Sequence, residues 1–303
     1  MRLLTIGVGL RGAKIAEGFQ KRGARVNRVP LFKCFAILGD ENQMKTIAIR
    51  DDRKFYVPSK KAVPGVLNSI TKIYEIWEGC QIILSLEDDY AFDIALELNE
   101  RIKEVFEDPV MSLVLIPTLG SVDLAELKRK LIEIRKRSDI LFLFEGRIGI
   151  EEKILNSMNI LALAGEVDIK KRVAGEVVVD TSDIFNALKS GGFSVIGFAE
   201  KEIPFSIFKK KSELKAIRTK RMIELYELAL QNLSISAKVE EAKSSLILFA
   251  SPKEEITMEG IFEIIGKIEK MNSSMEIRYG DCPMQKRKVS LVLLFSGIKS
   301  IKF

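Results

Sequence analysis

Three glycines near the start of the chain have the spacing of a phosphate loop. Gly7, Gly9 and Gly12 stand in GVGLRG, after a short apolar run at 2–7 and before a helical pattern at 12–21. Glycines let the backbone turn tightly, and the helix that follows turns unpaired N–H groups toward an anion. Arg11 adds a positive charge inside the loop. The same residues also make a plain strand-to-helix turn, and their types alone leave both readings open. A dinucleotide site wants an acid about twenty positions further on. Asp40 comes late for that role, and the chain has no histidine to move a proton.

The missing histidine excludes Ser-His-Asp and Cys-His catalysis and the usual zinc sites. Cys34, Cys80 and Cys282 are too few and too scattered for a disulfide framework or a metal motif. The chemistry that remains uses carboxylates, lysines, backbone amides or a metal held by oxygen. No metal site is assigned. The net charge is +6 over 303 residues, and Lys, Glu and Ile are abundant, as in many heat-adapted proteins.

The elements around the loop alternate. Apolar runs at 31–38, 81–86, 110–116 and 140–144 read as strands, with a weaker one at 46–49. Amphipathic patterns at 63–78, 91–106 and 121–137 read as helices. Near-continuous apolar strands alternating with helices imply a doubly wound parallel sheet, which binds ligands at its strands' carboxyl ends. A mostly apolar helix follows at 149–164, and a short one at 182–190. Strands at 193–199, 234–239, 245–250, 274–278 and 289–296 then mix with helices at 218–231 and 257–271, an α+β pattern. The expected division is a nucleotide-binding-like domain at 1–148, a core helix at 149–166 and a second domain at 167–303.

Longer stretches carry a family likeness. GEVDIKKRVAGEVVVDTSDIFNALKSGGFSVIGFAE resembles the segment after the central helix of the tubulin/FtsZ superfamily, closest to its archaeal CetZ branch. SSLILFASPKEEITMEGIFEIIGKIEK, SMEIRYGD and LVLLFSGIKS resemble the CetZ second domain in order and spacing, and GVGLRGAKIAEGF resembles its first phosphate loop. The resemblance implies a parallel-sheet GTPase-like domain, a core helix and an α+β second domain. It also implies GTP against Gly7, Gly9, Arg11 and Gly12, and catalytic acids at Asp180 and Asp183 that serve the nucleotide of a neighbouring subunit. Such a carboxylate orients a water near a bound cation. The same acids suit a helix cap, since Asp180 or Thr181 could start the helix at 182–190.

The family's glycine-rich signature fares differently. Counted back from Pro109 without a gap, it falls on Glu87, Asp88, Asp89, Tyr90, Ala91, Phe92 and Asp93, with no glycine left. A carboxylate about 4 Å from a phosphate is repelled by roughly 1 kcal/mol in water and about 4 at an intermediate dielectric. Asp88 or Asp89 can instead cap the helix that follows. The third family loop keeps Lys60 and Lys61 but only Gly65. Glu145, Gly146 and Arg147 stand where a guanine-reading asparagine is expected, with Glu151 and Glu152 nearby.

Three readings follow. One is a pseudo-GTPase with weak or lost GTP binding, acting through longitudinal contact with itself or a related family subunit in an archaeal cytoskeletal role in cell shape or division. One is a working, polymerising GTPase with a remodelled pocket, where magnesium enters only with bound GTP. One is a non-cytoskeletal protein that holds another nucleotide or anion at the first loop. The basic stretch at 209–221 offers a peripheral contact to an anionic surface or, more simply, a solvated face. No aromatic interleaving points to nucleic acid. No apolar run spans a bilayer, and the start of the chain is not a signal peptide, so the expected place is the cytoplasm. The chain ends on strand-like residues at Phe303, so recruitment through a disordered tail is not expected.

Overall fold

The computed structural model describes residues 1–72, 76–118, 123–164, 179–204 and 211–301. Expectations that fall on 73–75, 119–122, 165–178, 205–210 and 302–303 lie outside the described residues. They include the middle of the family-like stretch beginning at Gly165, and Lys209 and Lys210 of the basic segment. The described residues divide into two compact units, Met1–Leu155 and Asn156–Phe303.

The first unit runs β1 (Leu3–Val8), α1 (Gly9–Arg22), a hairpin of β2 (Arg25–Val26) and β3 (Val29–Pro30), and β4 (Phe32–Leu38). It continues with α2 (Glu41–Thr46), β5 (Lys54–Tyr56), α3 (Val63–Thr71), β6 (Gly79–Ser85), α4 (Asp89–Val105), β7 (Val110–Ile116), α5 (Leu124–Arg137) and β8 (Ile140–Glu145). The helix α6 (Ile150–Ala164) crosses the division between the units. Its sheet is parallel throughout, in the order β5, β4, β1, β6, β7, β8. Helices cover both faces of such a sheet, which is why β1, β6 and β7 are buried at every position. β1 lies in the middle, with Ile6 beside Phe35 of β4 and Ile82 of β6. Its carboxyl end, where the glycine loop starts, is therefore walled by its neighbours.

The second unit contains α7 (Thr181–Leu188), β9 (Phe193–Glu202), α8 (Lys211–Gln231), β10 (Ser244–Ser251), α9 (Met258–Met271), β11 (Glu276–Pro283) and β12 (Lys288–Ile298). Its strands lie in the order β11, β10, β12, β9. The β10–β11 pair is parallel and the other two pairs are antiparallel. β12 is buried from Val289 onward and forms the centre of this core.

Four expectations are corrected. Residues 46–49 form no strand, Thr46 being the last residue of α2; the edge position beside β4 goes to β5, whose Phe55 pairs with Ile37. Residues 234–239 hold no strand either, only single bridges from Leu233 to Gly197 and from Ala237 to Ile301. The helix expected at 63–78 ends at Thr71, and Ile76 and Trp77 are not helical. The helix after the glycine loop begins at Gly9, not Gly12, so the loop is itself the first turn.

Candidate functional site

The crevice at the carboxyl end of β1 is built first by close backbone approaches. A Cβ on Gly7 would run into the Gly12 carbonyl, and a Cβ on Gly12 into the Ile83 carbonyl of β6. Both glycines are thus required by α1 packing onto β1 and β6, whether or not a ligand is present. Gly9 differs. It has φ +69°, a conformation glycine adopts without strain. The start of α1 has no side-chain cap and no acid in its first turn. Its free N–H groups and the positive end of its dipole are what a phosphate would meet.

The structure puts Asp88 there. A Cβ on Gly9 would collide with Asp88 Oδ2, so the carboxylate lies directly against the loop. The other oxygen, Oδ1, accepts a hydrogen bond from Ala91 N at 3.1 Å, which makes Asp88 the N-cap of α4. One carboxylate thus occupies the place between two helix starts. Its neighbours turn elsewhere. Asp89 is largely exposed and pairs with Lys130 of α5. Tyr90 donates its hydroxyl to the Val57 carbonyl at 2.7 Å, and its ring covers Gly39. Burial holds the Tyr90 hydroxyl well above its ordinary pKa, so it stays a donor. Asp93 pairs with Lys60 at 3.0 Å.

Arg11 closes the crevice. Its Nη1 lies 3.5 Å from Glu87 on the opposite wall. Its Nη2 donates to the Gly146 carbonyl at 2.8 Å and to Glu151 at 3.2 Å, and its Nε donates to Glu151 at 3.2 Å. The charge expected to meet a phosphate is thus spent on two carboxylates and a carbonyl from three segments. The planar fork of arginine suits such a bridge, where a lysine could not reach all three. The sequence signals one end of it, the acids near the base position. Partners 140 residues apart leave no local trace. Arg22 and Glu152 make a second such pair at 2.7 Å. Among the described residues no cluster of three or more acids or cysteines is placed to hold a metal ion.

The acid pair Asp180 and Asp183 opens α7. Asp180 Oδ1 accepts from Asp183 N at 2.7 Å, and the Asp183 carboxylate accepts from Asp180 N at 3.4 Å, a complete capping box. Ser182 also donates its hydroxyl to Asp180 at 2.6 Å. The Ser182 hydroxyl first, then the Asp183 amide, hold the Asp180 carboxyl below its ordinary pKa. Asp183 lies 3.9 Å from Arg278 of β11. In the basic segment, Arg218 and Arg221 both pair with Glu255, Lys215 with Glu259, and Lys220 with Glu224 at 3.9 Å. Its described cations are substantially neutralised within the chain.

A parallel first unit with a glycine loop at a central strand, followed by a unit of mixed strands, is the fold of solved CetZ and FtsZ chains, the tubulin/FtsZ class. The family model for the C-terminal domain of tubulin-like CetZ proteins matches residues 143–302. The chain belongs to this tubulin-like CetZ family. The tubulin-like protein CetZ1 of Haloferax volcanii is 25% identical over 355 residues, covering 99% of this chain and 89% of that protein. Among solved structures, the GDP-bound CetZ1 monomer from Haloferax volcanii superposes with a TM-score of 0.82 at 23% identity, covering 99% and 96% of the two chains. The GTPγS-bound protofilament of CetZ2 from the same organism gives 0.80 at 18% identity, covering 100% and 95%.

Proposed function

We propose that the protein is a tubulin-like cytoskeletal subunit of CetZ type that works through contacts with other subunits and binds GTP weakly or not at all. One observation carries this reading: the Asp88 carboxylate lies against Gly9, where the family is expected to seat a phosphate. The bridge from Arg11 to Glu87 and Glu151 supports it, because it consumes the nearest cation. In this reading residues 1–148 keep the shape of the nucleotide domain, 149–166 form the core helix, and 167–303 carry the contact domain. Gly7, Gly9 and Gly12 are retained for the turn and its packing. Asp180 and Asp183 cap α7 and present their carboxylates to the nucleotide of a related subunit in longitudinal contact. The setting is the cytoplasm. Among the described residues no helix is long and apolar enough to cross a membrane.

A second reading keeps GTP, with magnesium. It is favoured by relatives whose structures are described with GDP and GTPγS bound. It requires Arg11 to leave Glu87 and the Asp88 carboxylate to leave Gly9. Equilibrium dialysis with labelled GTP and magnesium separates the two. A dissociation constant weaker than about 1 mM, or about 4 kcal/mol of binding, is the expected result. Micromolar binding overturns the first reading in favour of the second.

A further inference from the structure

The hairpin of β2 and β3 comes just before β4, at the amino end of the parallel sheet and away from the glycine crevice. Arg25 pairs with Pro30 and Val26 with Val29, which leaves Asn27 and Arg28 as a two-residue turn. Both turn residues have positive φ, +51° and +69°. Such a turn ordinarily takes glycine at its second position, because a residue with a Cβ is strained there. Here an arginine holds that position against the strain, and backbone strain of this kind points to a use for the side chain.

The charge around this turn has one sign. Residues 18–39 contain Lys21, Arg22, Arg25, Arg28 and Lys33 and no acid. Arg2 lies close by in the sheet, since Leu3 N donates to the Leu31 carbonyl at 2.8 Å, where the hairpin returns. The acids on the neighbouring elements are already engaged. Glu17 pairs with Lys21 and accepts from Ala48 N at 3.1 Å, and Glu152 pairs with Arg22. Glu78 accepts from Arg2 N at 2.6 Å and lies 3.7 Å from the N-terminal amine. Arg25, Arg28 and the Arg2 guanidinium are exposed and make no ion pair or hydrogen bond among the described residues. Beside them Val29 is 47% exposed, and Pro30 is exposed too.

We propose that this hairpin docks the protein on an anionic lipid surface. The free guanidiniums meet headgroup phosphates, whose geometry their planar fork matches. Val29 and Pro30 enter the boundary between headgroups and acyl chains. The apolar residues decide the class of partner. A nucleic acid would attract the arginines but offers nothing to Val29, and residues 25–30 carry no aromatic side chain to stack on a base. Each cation near an anionic surface gains about fivefold in binding. Three of them with one valine make a reversible, peripheral contact. The docking needs neither GTP nor a subunit contact, so it goes beyond the reading above and is independent of it.

Co-sedimentation of the full chain with vesicles of phosphatidylcholine, alone or mixed with phosphatidylglycerol, tests it. The wild type is expected to bind the anionic vesicles only, and less as salt rises. R25Q/R28Q is expected to weaken that binding about 25-fold, and Val29→Ser to weaken it without changing its salt dependence. K209Q/K210Q removes the same charge from the other basic segment and is expected to bind as the wild type does. Arg28→Gly is expected to raise the melting temperature by relieving the turn and yet to weaken vesicle binding about fivefold, which a purely structural Arg28 would not do. No binding by the wild type at low salt, or undiminished binding by R25Q/R28Q, overturns the docking. Tighter binding to a DNA oligonucleotide than to the anionic vesicles overturns it in favour of a nucleic acid. Loss of the chain's own pelleting in R25Q/R28Q without vesicles overturns it in favour of a contact between copies.

Discussion

A single carboxylate decides how the crevice reads. Asp88 both caps α4 and lies against the start of α1, so removing it has two separable effects. Asp88→Ala is expected to cost about 1 kcal/mol through the lost cap, read from urea unfolding. The pair Glu87→Gly and Asp88→Gly also removes two negative charges and frees Arg11 from one partner. That variant is expected to bind GTP at least about tenfold more tightly than the wild type, measured by dialysis. Unchanged weak binding would mean that the base pocket, not the phosphate wall, is the barrier. A second residue-scale effect lies beside the crevice. Lys153 of α6 is nearly buried, and burial first, then Arg147, pull its pKa down to about 8. The folded state therefore binds fewer protons than the unfolded state between pH 8 and the ordinary lysine value of 10.5. Stability from this group is lowest below pH 8 and rises as pH climbs through that window. Lys153→Met is expected to stabilise the protein at pH 7, by clearly less than the roughly 3 kcal/mol a fully desolvated shift would carry, and to flatten the rise in melting temperature above pH 8.

At the scale of elements, the glycine loop shows what a motif can and cannot tell. The spacing Gly7, Gly9, Gly12 marks a tight strand-to-helix turn, and the structure has one. Yet Gly12 is needed because its Cα approaches the Ile83 carbonyl, a packing demand independent of any phosphate. Gly12→Ala is expected to destabilise the fold by several kcal/mol, roughly as an overpacked core site does, with or without GTP in the melt. The acidic run at 87–89 was legible as a cap, and Asp88 proves to be that cap. The buried strands were legible because continuous apolar runs fit a two-sided parallel sheet. The edge was not. β5 spans three half-exposed residues, KFY, with no alternation to notice, whereas TIAI has the pattern of a strand, yet its Thr46 ends α2 and Ile47–Ile49 form no strand. Arg11 and its partners escaped notice because long-range ion pairs carry no periodicity. For α7 the family resemblance pointed to Asp180 and Asp183 and the capping pattern to Asp180 or Thr181; the cap is Asp180, and Asp183 completes its capping box. Asp180→Ala is expected to cost about 1 kcal/mol by unfolding, and Asp180→Asn, which keeps an acceptor oxygen, much less.

For the whole molecule, the proposed reading makes the two sets of residues that would serve a subunit contact unequal. The phosphate side is filled by Asp88 and Arg11, while Asp180 and Asp183 stand at the start of α7 with partly exposed carboxylates. In the proposed reading such a subunit serves the nucleotide of another subunit and offers little of its own. Two consequences follow for assembly. If the proposed reading holds and GTP does not enter the crevice, its own association should not depend on GTP. Mixed with a GTP-binding relative of the family, it should join the relative's polymer at one end only. Substoichiometric addition is then expected to reduce the relative's pelleted mass and to change its GTPase rate. Glu87→Gly with Asp88→Gly should leave the change in GTPase rate intact, because it leaves Asp180 and Asp183 in place. Asp180→Asn with Asp183→Asn should abolish the change in rate while leaving co-pelleting in place, because contact remains and only the charges facing the relative's nucleotide are lost. An unchanged polymer mass and an unchanged rate with the wild-type chain would show that the acid pair serves its own helix and nothing beyond it.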